Sequence, residues 1–264
     1  MMSAAIDLNC DLGEGAGCDE ELMPLITSAN IACRAHAGDE ASMRAAVRLA
    51  RRYGVAIGAH PGFADREHFG RRERALASRE IVALVRGQVE ALRSIAAEEG
   101  VLMTHVKPHG ALYNMAAKDA VVAEAVAEAV AGVDTTMRLY GLAGGELLKA
   151  GRAAGLRVAS EVFADRTYQA DGSLTPRGRP DAMFAGEAEA VGQVLRMIRE
   201  GRVRATDGTD VVISADTVCL HGDGPAAVRL ASGVRKALQA EGVILRSLKD
   251  GVAGDQAAAG GGIT

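Results

Sequence analysis

The chain has no tryptophan, and aromatic residues make up only 3% of its 264 positions. Its core must rest on Ala, Val, Leu and Ile, and stacking on bases or sugars is poorly provided for. The formal charge is −4 with no basic cluster, which argues against nucleic acid as the main partner. No apolar run approaches the ~20 residues of a membrane span, so no membrane association is expected. The first residues lead at once into a charged, strand-like segment, so no secretory leader is expected either. Four cysteines, Cys10, Cys18, Cys33 and Cys219, show no CxxC spacing. Cys10, Cys33 and Cys219 lie in apolar runs and read as small buried hydrophobes, which suits a reducing cytoplasm.

What is present is hydrophobic content of 48%, enough for one large packed domain. The pattern alternates strands with helices. Residues 5–13 (AIDLNCDLG) put Ile6, Leu8 and Cys10 on one face and Asp7, Asn9 and Asp11 on the other. A glycine-rich turn holding Glu14 follows, without the GK[ST] or GxGxxG of a phosphate loop. A helix is expected over Asp19–Thr27, and a strand over 29–38 with Arg34 on the side of His36. A helix capped by Asp39 then runs to Tyr53 on a stripe of Met43, Ala46, Val47 and Ala50. Residues 55–62 form a third strand ending near His60. A basic loop from Phe63 to Arg74 and a helix from Ser78 to Glu99 follow.

The stretch Val101–Asn114 (VLMTHVKPHGALYN) reads as a buried strand whose carboxyl end carries Lys107 and His109 on one side. A helix over Lys118–Val130, a strand over 136–144 and a helix to Ala154 come next. A strand over 156–166 carries Glu161, Asp165 and Arg166. The turn-rich insert TYQADGSLTPRGRPDA suggests a hairpin or lid. After a helix over 186–200, two β-prone pieces flank Asp207. Residues 216–224 form the seventh strand, with His221 and Asp223 at its end, and a last helix reaches Glu241.

About seven strands and seven helices in alternation predict a parallel α/β sheet or barrel. Residues 1–250 are expected to be one domain and 251–264 a disordered tail. Chemistry in such folds gathers at the carboxyl ends of strands. Four of the six histidines, His36, His60, His109 and His221, stand at such ends. Three readings fit. Asp11, His36 and His60 could hold a divalent metal that activates water. Metal-free acid–base catalysis could use the same groups, with Lys107 stabilising an oxyanion. A non-catalytic pocket could bind a small anion through Lys107 and Arg166.

The strings IDLNCDLGEG, HAGD, VAIGAHPGF, HVKPHGALYNMAA and EVFADRTYQADGSLTPR, in this order, resemble the lactam-utilisation (LamB/YcsF) family, the A subunits of bacterial 5-oxoprolinases. The resemblance implies a distorted (β/α)7 TIM-like barrel of the glycoside hydrolase/deacetylase type. It also implies B and C partner subunits, with self-association open, and ATP as co-substrate. The reaction implied is opening of 5-oxo-L-proline to L-glutamate, with a divalent metal either as Mg with ATP or at the site. Asp11, His60, Lys107, His109 and Glu161 are the catalytic candidates. Asp7, Asn9, Glu14, His36, Asn114, Asp165, Arg166 and His221 are the substrate-binding candidates. Where the family pattern has CGFHAGD this chain has CRAHAGD, so a glycine is replaced by Arg34. The alternatives are an amide hydrolase or deacetylase that needs a metal but no ATP, and a protein that only binds 5-oxoproline.

Overall fold

Alternation in the first strand sets the architecture. In the computed structural model, which describes residues 5–184, 186–222 and 226–248, this segment is β1 (Ala5–Leu12). Its Leu8, Cys10 and Leu12 join the hydrophobic core while Asp7, Asn9 and Asp11 turn to the opposite face, and all are buried. The chain continues through α1 (Asp19–Leu22), β2 (Ser28–Ala32), α2 (Glu40–Tyr53), β3 (Ala56–His60), α3 (Ser78–Glu98) and β4 (Met103–Val106). Then come α4 (Gly110–Lys118), α5 (Ala120–Ala131), β5 (Arg138–Leu142), α6 (Glu146–Ala153) and β6 (Arg157–Phe163). The last part holds α7 (Glu187–Glu200), the antiparallel pair β7 (Arg202–Arg204) and β8 (Asp210–Val212), β9 (Thr217–His221), α8 (Ala227–Ala240) and β10 (Ile244–Leu245).

β1 to β6 pair in sequence order, all parallel, and β9 pairs with both β6 and β1. Seven strands thus close a barrel, as expected, and no sheet edge remains between them. The interior is polar at its floor. Asp7 accepts from Thr27, Ser28, Tyr140 and Thr217, and Asn30 donates to Asn9 and Asp11. His105 stacks on Tyr140 and shares a 2.9 Å bond with Asn30. Gly58 makes room for that ring: a Cβ there would stand 2.2 Å from His105 Cδ2.

Local signals hold at α2. Asp39 and Ser42 form a reciprocal capping box, the stripe Met43, Ala46, Val47 and Ala50 is buried, and Gly54 closes the helix with φ +69°. Elsewhere the boundaries move. The helix expected over Asp19–Thr27 is only α1 and a 3₁₀ turn, because β2 begins at Ser28. The strand expected to end on Lys107 and His109 ends at Val106, and α4 starts at Gly110, directly after Pro108 and His109. The helix expected over Lys118–Val130 is α5 alone, begun by Asp119, whose side chain accepts from Val121 and Val122.

Arg34 corrects a second expectation. β2 ends at Ala32, so strand parity no longer governs residue 34. Its φ is +70° and its side chain is exposed, not turned into the barrel. The family glycine fits a left-handed backbone position, and Arg34 occupies that position with its carbonyl accepting from Arg66 at 2.9 Å. The insert after β6 folds back on itself through bridges Arg166–Met183 and Tyr168–Leu174. No helix among the described residues is long and apolar enough to cross a membrane. Asp223 and the tail 251–264 lie outside the described residues.

Candidate active site

The carboxyl ends of the barrel strands open on a cavity of about 40 Å³ lined by Asp11, Glu14, His60, Lys107, His109, Asn114, Arg166 and His221. Asp11 is near the end of β1 and Glu14 lies just beyond it. His60 ends β3, and Lys107 and His109 flank Pro108 after β4. Asn114 sits on the first turns of α4, and His221 ends β9.

Lys107 is the central charge. It is 2% exposed, and its Nζ donates to Asp11 Oδ1 at 2.8 Å and to Cys219 Sγ at 2.9 Å, and lies 3.1 Å from Glu161 Oε1. A desolvated ammonium needs such partners. Burial works to lower its pKa, but Asp11, Cys219 and Glu161 outweigh it and hold the group well above its ordinary value. Burial likewise works to raise the Asp11 carboxyl, and His60 with Lys107 pulls it well below the usual range. Cys219 therefore does more than fill space. Its parity with His221 was the available signal, and apolar neighbours on both sides obscured it.

The histidines form a second group. His60 Nδ1–H donates to the Lys107 carbonyl at 2.7 Å, and His109 Nε2–H donates to the Phe69 carbonyl at 2.8 Å. Those bonds fix both tautomers. The remaining nitrogens, His60 Nε2 and His109 Nδ1, face each other at 2.9 Å. Glu14 Oε1 lies 3.3 Å from His109 Nδ1 and 3.2 Å from His36 Nε2. His36 stacks on His109 with centroids 3.7 Å apart. Burial pushes His36 down to about 4 and lowers His109, so both rings are neutral near pH 7.

Opposite them, Asp165 Oδ2 accepts from His221 Nδ1 at 2.8 Å, and His221 outweighs the burial that would raise the Asp165 carboxyl. Tyr113 lines the cavity, and Tyr113 Oη and Glu161 Oε2 are buried with no hydrogen-bond partner among the described residues. Such atoms cost free energy unless a ligand or water meets them.

Of the expected residues, Asp7, Asn9, Glu161, His36 and Asp165 do not line the cavity themselves. Asp7 and Asn9 belong to the floor, and Asn9 donates to Glu161 at 2.9 Å. His36, Glu161 and Asp165 stand directly behind lining residues. Arg71, from the basic loop, and Arg177, from the insert after β6, also line the cavity. His105 and His109 are four apart in sequence, but His105 lies a layer deeper. For a metal ion, Glu14, His36, His60 and His109 each bring one ligand atom within 4.8 Å of the others, whereas Asp11 groups with Cys219 and His221.

Residues 6–253 match the model of the LamB/YcsF family. A protein from Geobacillus kaustophilus, named as the A subunit of 5-oxoprolinase, is 60% identical over 246 residues, 92% of this chain and 96% of its own length. The crystal structure of a lactam utilization protein from Thermus thermophilus has a TM-score of 0.85 at 44% identity, covering 92% of this chain and 99% of that one. A peptidoglycan deacetylase from Bacillus subtilis, 12% identical, has a TM-score of 0.50 over 94% of this chain and 89% of its own, and shares the fold alone.

Proposed function

Because this chain belongs to the LamB/YcsF family, we propose that it acts as the A subunit of a 5-oxoprolinase and carries the ring-opening hydrolysis of 5-oxo-L-proline. In this reading residues 1–250 are one barrel domain that works in the cytoplasm with partner B and C subunits. The four free cysteines are in keeping with that compartment.

The observation that carries the reading is the convergence, in one cavity, of a buried ammonium, a carboxylate and two tautomerically fixed histidines. An unstrained lactam is a poor electrophile. Transfer of the γ-phosphoryl group of ATP to the lactam oxygen, carried out with the partner subunits, activates the ring carbon. One water then adds to that carbon, the C–N bond breaks, and the nitrogen takes a proton. A second water releases phosphate, which leaves L-glutamate, ADP and phosphate. Asp11 and His60, 3.3 Å apart, take the proton of the attacking water. Lys107 offsets the negative charge that develops on oxygen, and Glu161 holds Lys107 in place. The proton gained by His60 Nε2 crosses 2.9 Å to His109 Nδ1 and passes from there to the leaving nitrogen. Arg166, Asn114 and the Asp165–His221 pair bind the rest of the substrate.

The ligand cluster Glu14, His36, His60 and His109 favours a second reading, an amide hydrolase that uses a metal and no ATP. Three imidazoles, of which His60 and His109 are oriented by backbone carbonyls, with a carboxylate, suit a borderline divalent ion. Such an ion would supply Lewis acidity and a more acidic water. The separating experiment combines the chain with its partner subunits and measures ADP and glutamate from 5-oxo-L-proline. Glutamate in step with ADP, only when all subunits are present, supports the first reading. Glutamate from the chain and metal alone, without ATP, supports the second.

A further inference from the structure

The catalytic cavity holds only about 40 Å³, room for a few waters, so a substrate must extend beyond it. A second cavity of about 250 Å³ shares Arg71, Arg166 and Arg177 with it. Lys118 adds a fourth cation, against one carboxylate, Glu73. Thr175 also lines this space, is fully buried, and its Oγ1 has no hydrogen-bond partner among the described residues. The first residues of α4, Gly110 and Ala111, border the same space, and no side chain caps that helix start. The Ala111 N–H is taken by the Gly70 carbonyl at 3.0 Å, so the donors on offer are the guanidinium and ammonium groups and the unpaired hydroxyl, the kinds that hold a phosphoryl group.

We propose that this second cavity is an anion subsite that receives the phosphoryl group of an activated substrate while the ring carbon sits by Lys107 in the first. This rests on the functional reading above and adds the place in this chain that holds the phosphoryl group of the phosphorylated lactam, and of the acyl phosphate that follows ring opening. A nucleotide is a poorer occupant. The space is below the roughly 300–1,000 Å³ typical of sites for larger ligands, and among the described residues no aromatic side chain lines it for a base to stack on. The placement also gives the basic loop and the insert after β6 a role, since Arg71 comes from one and Thr175 and Arg177 from the other.

The test is calorimetric titration of the pure chain with inorganic phosphate, ADP and a phosphonate analogue of glutamate, in wild type, Lys118→Gln and Arg177→Gln. Lys118 lines only the second of these two cavities and is exposed, so its substitution leaves both the fold and the catalytic cavity in place. The expected result is saturable binding of phosphate, tighter binding of the phosphonate, and about tenfold weakening in each variant, the loss of one charge-assisted contact. Absence of saturable phosphate binding overturns the proposal, as does wild-type affinity in both variants. ADP binding more tightly than the phosphonate overturns it in favour of a nucleotide site. Loss of glutamate release by the assembled complex with phosphate binding intact would count against the functional reading alone.

Discussion

His60 Nε2 and His109 Nδ1 face each other at 2.9 Å while the other nitrogen of each ring donates to a main-chain carbonyl. With the N–H of each ring committed to a carbonyl, two lone pairs would oppose each other, so a proton or a cation belongs between them. If it is a cation, the pure protein titrated with zinc or manganese binds one equivalent through Glu14, His36, His60 and His109. Saturation at about a hundred times Kd then stabilises it by about 2.7 kcal/mol, read as a rise in Tm. Glu14→Gln should lose the rise. An unchanged Tm in wild type at millimolar metal would mean that the pair shares a proton.

Lys107→Ala should be among the most damaging single changes. It leaves Asp11 and Glu161 buried without their ammonium and strips Cys219 of its donor. Breaking a buried pair by removing one partner costs about 3–5 kcal/mol. Urea unfolding of wild type and variant reads the difference; a loss below about 1 kcal/mol would show that the charges are not desolvated as the structure has them.

Arg34→Gly should be benign. The position has φ +70° and an exposed side chain outside the barrel. Relief of the left-handed strain, set against the greater freedom of glycine when unfolded, stabilises by up to about 1 kcal/mol. Thermal unfolding and glutamate release by the complex check this; a large change in turnover would place Arg34 at the substrate.

Acid should weaken the fold before the carboxylates protonate. Burial, then Lys107, depresses His105 from 6.5 to about 3, and burial depresses His36 to about 4. The unfolded chain therefore binds these protons first as pH falls below 6.5, and stability falls with it. At pH 5 each such histidine costs about 2 kcal/mol. Asp11 and Asp165, held below the usual range, give up their contribution only at lower pH. Urea midpoints at pH 7 and pH 5 should differ more in wild type than in His105→Gln; equal differences would show that His105 is not held neutral.

Much of this site was legible in the sequence. Period-two alternation in β1 and polar residues at successive strand ends follow from how a barrel divides inside from outside, so Asp11 and His60 could be placed by parity; Lys107 and His109 lie past the end of β4, but their amides still bond to the Ala59 and Pro61 carbonyls and keep the strand spacing. Parity failed where the strand stopped early, as at Arg34. It also understated Cys219, whose apolar neighbours masked its inward side. The floor network of Asp7 with Thr27, Ser28, Tyr140 and Thr217 joins residues up to 210 positions apart, and no local pattern announces such pairing. Arg177 and Thr175 reach the cavities through the fold of the insert, which turn chemistry suggests but cannot aim.

The most direct test of the ring-opening role is a single turnover of the complete complex with ATP and 5-oxo-L-proline, wild type beside His60→Asn, with ADP and glutamate measured together. The predicted result is that the variant still releases about one ADP per complex while glutamate falls at least about a hundredfold, because phosphoryl transfer precedes the step that His60 serves. Loss of ADP and glutamate in equal measure would contradict it and place this chain's role no later than phosphorylation.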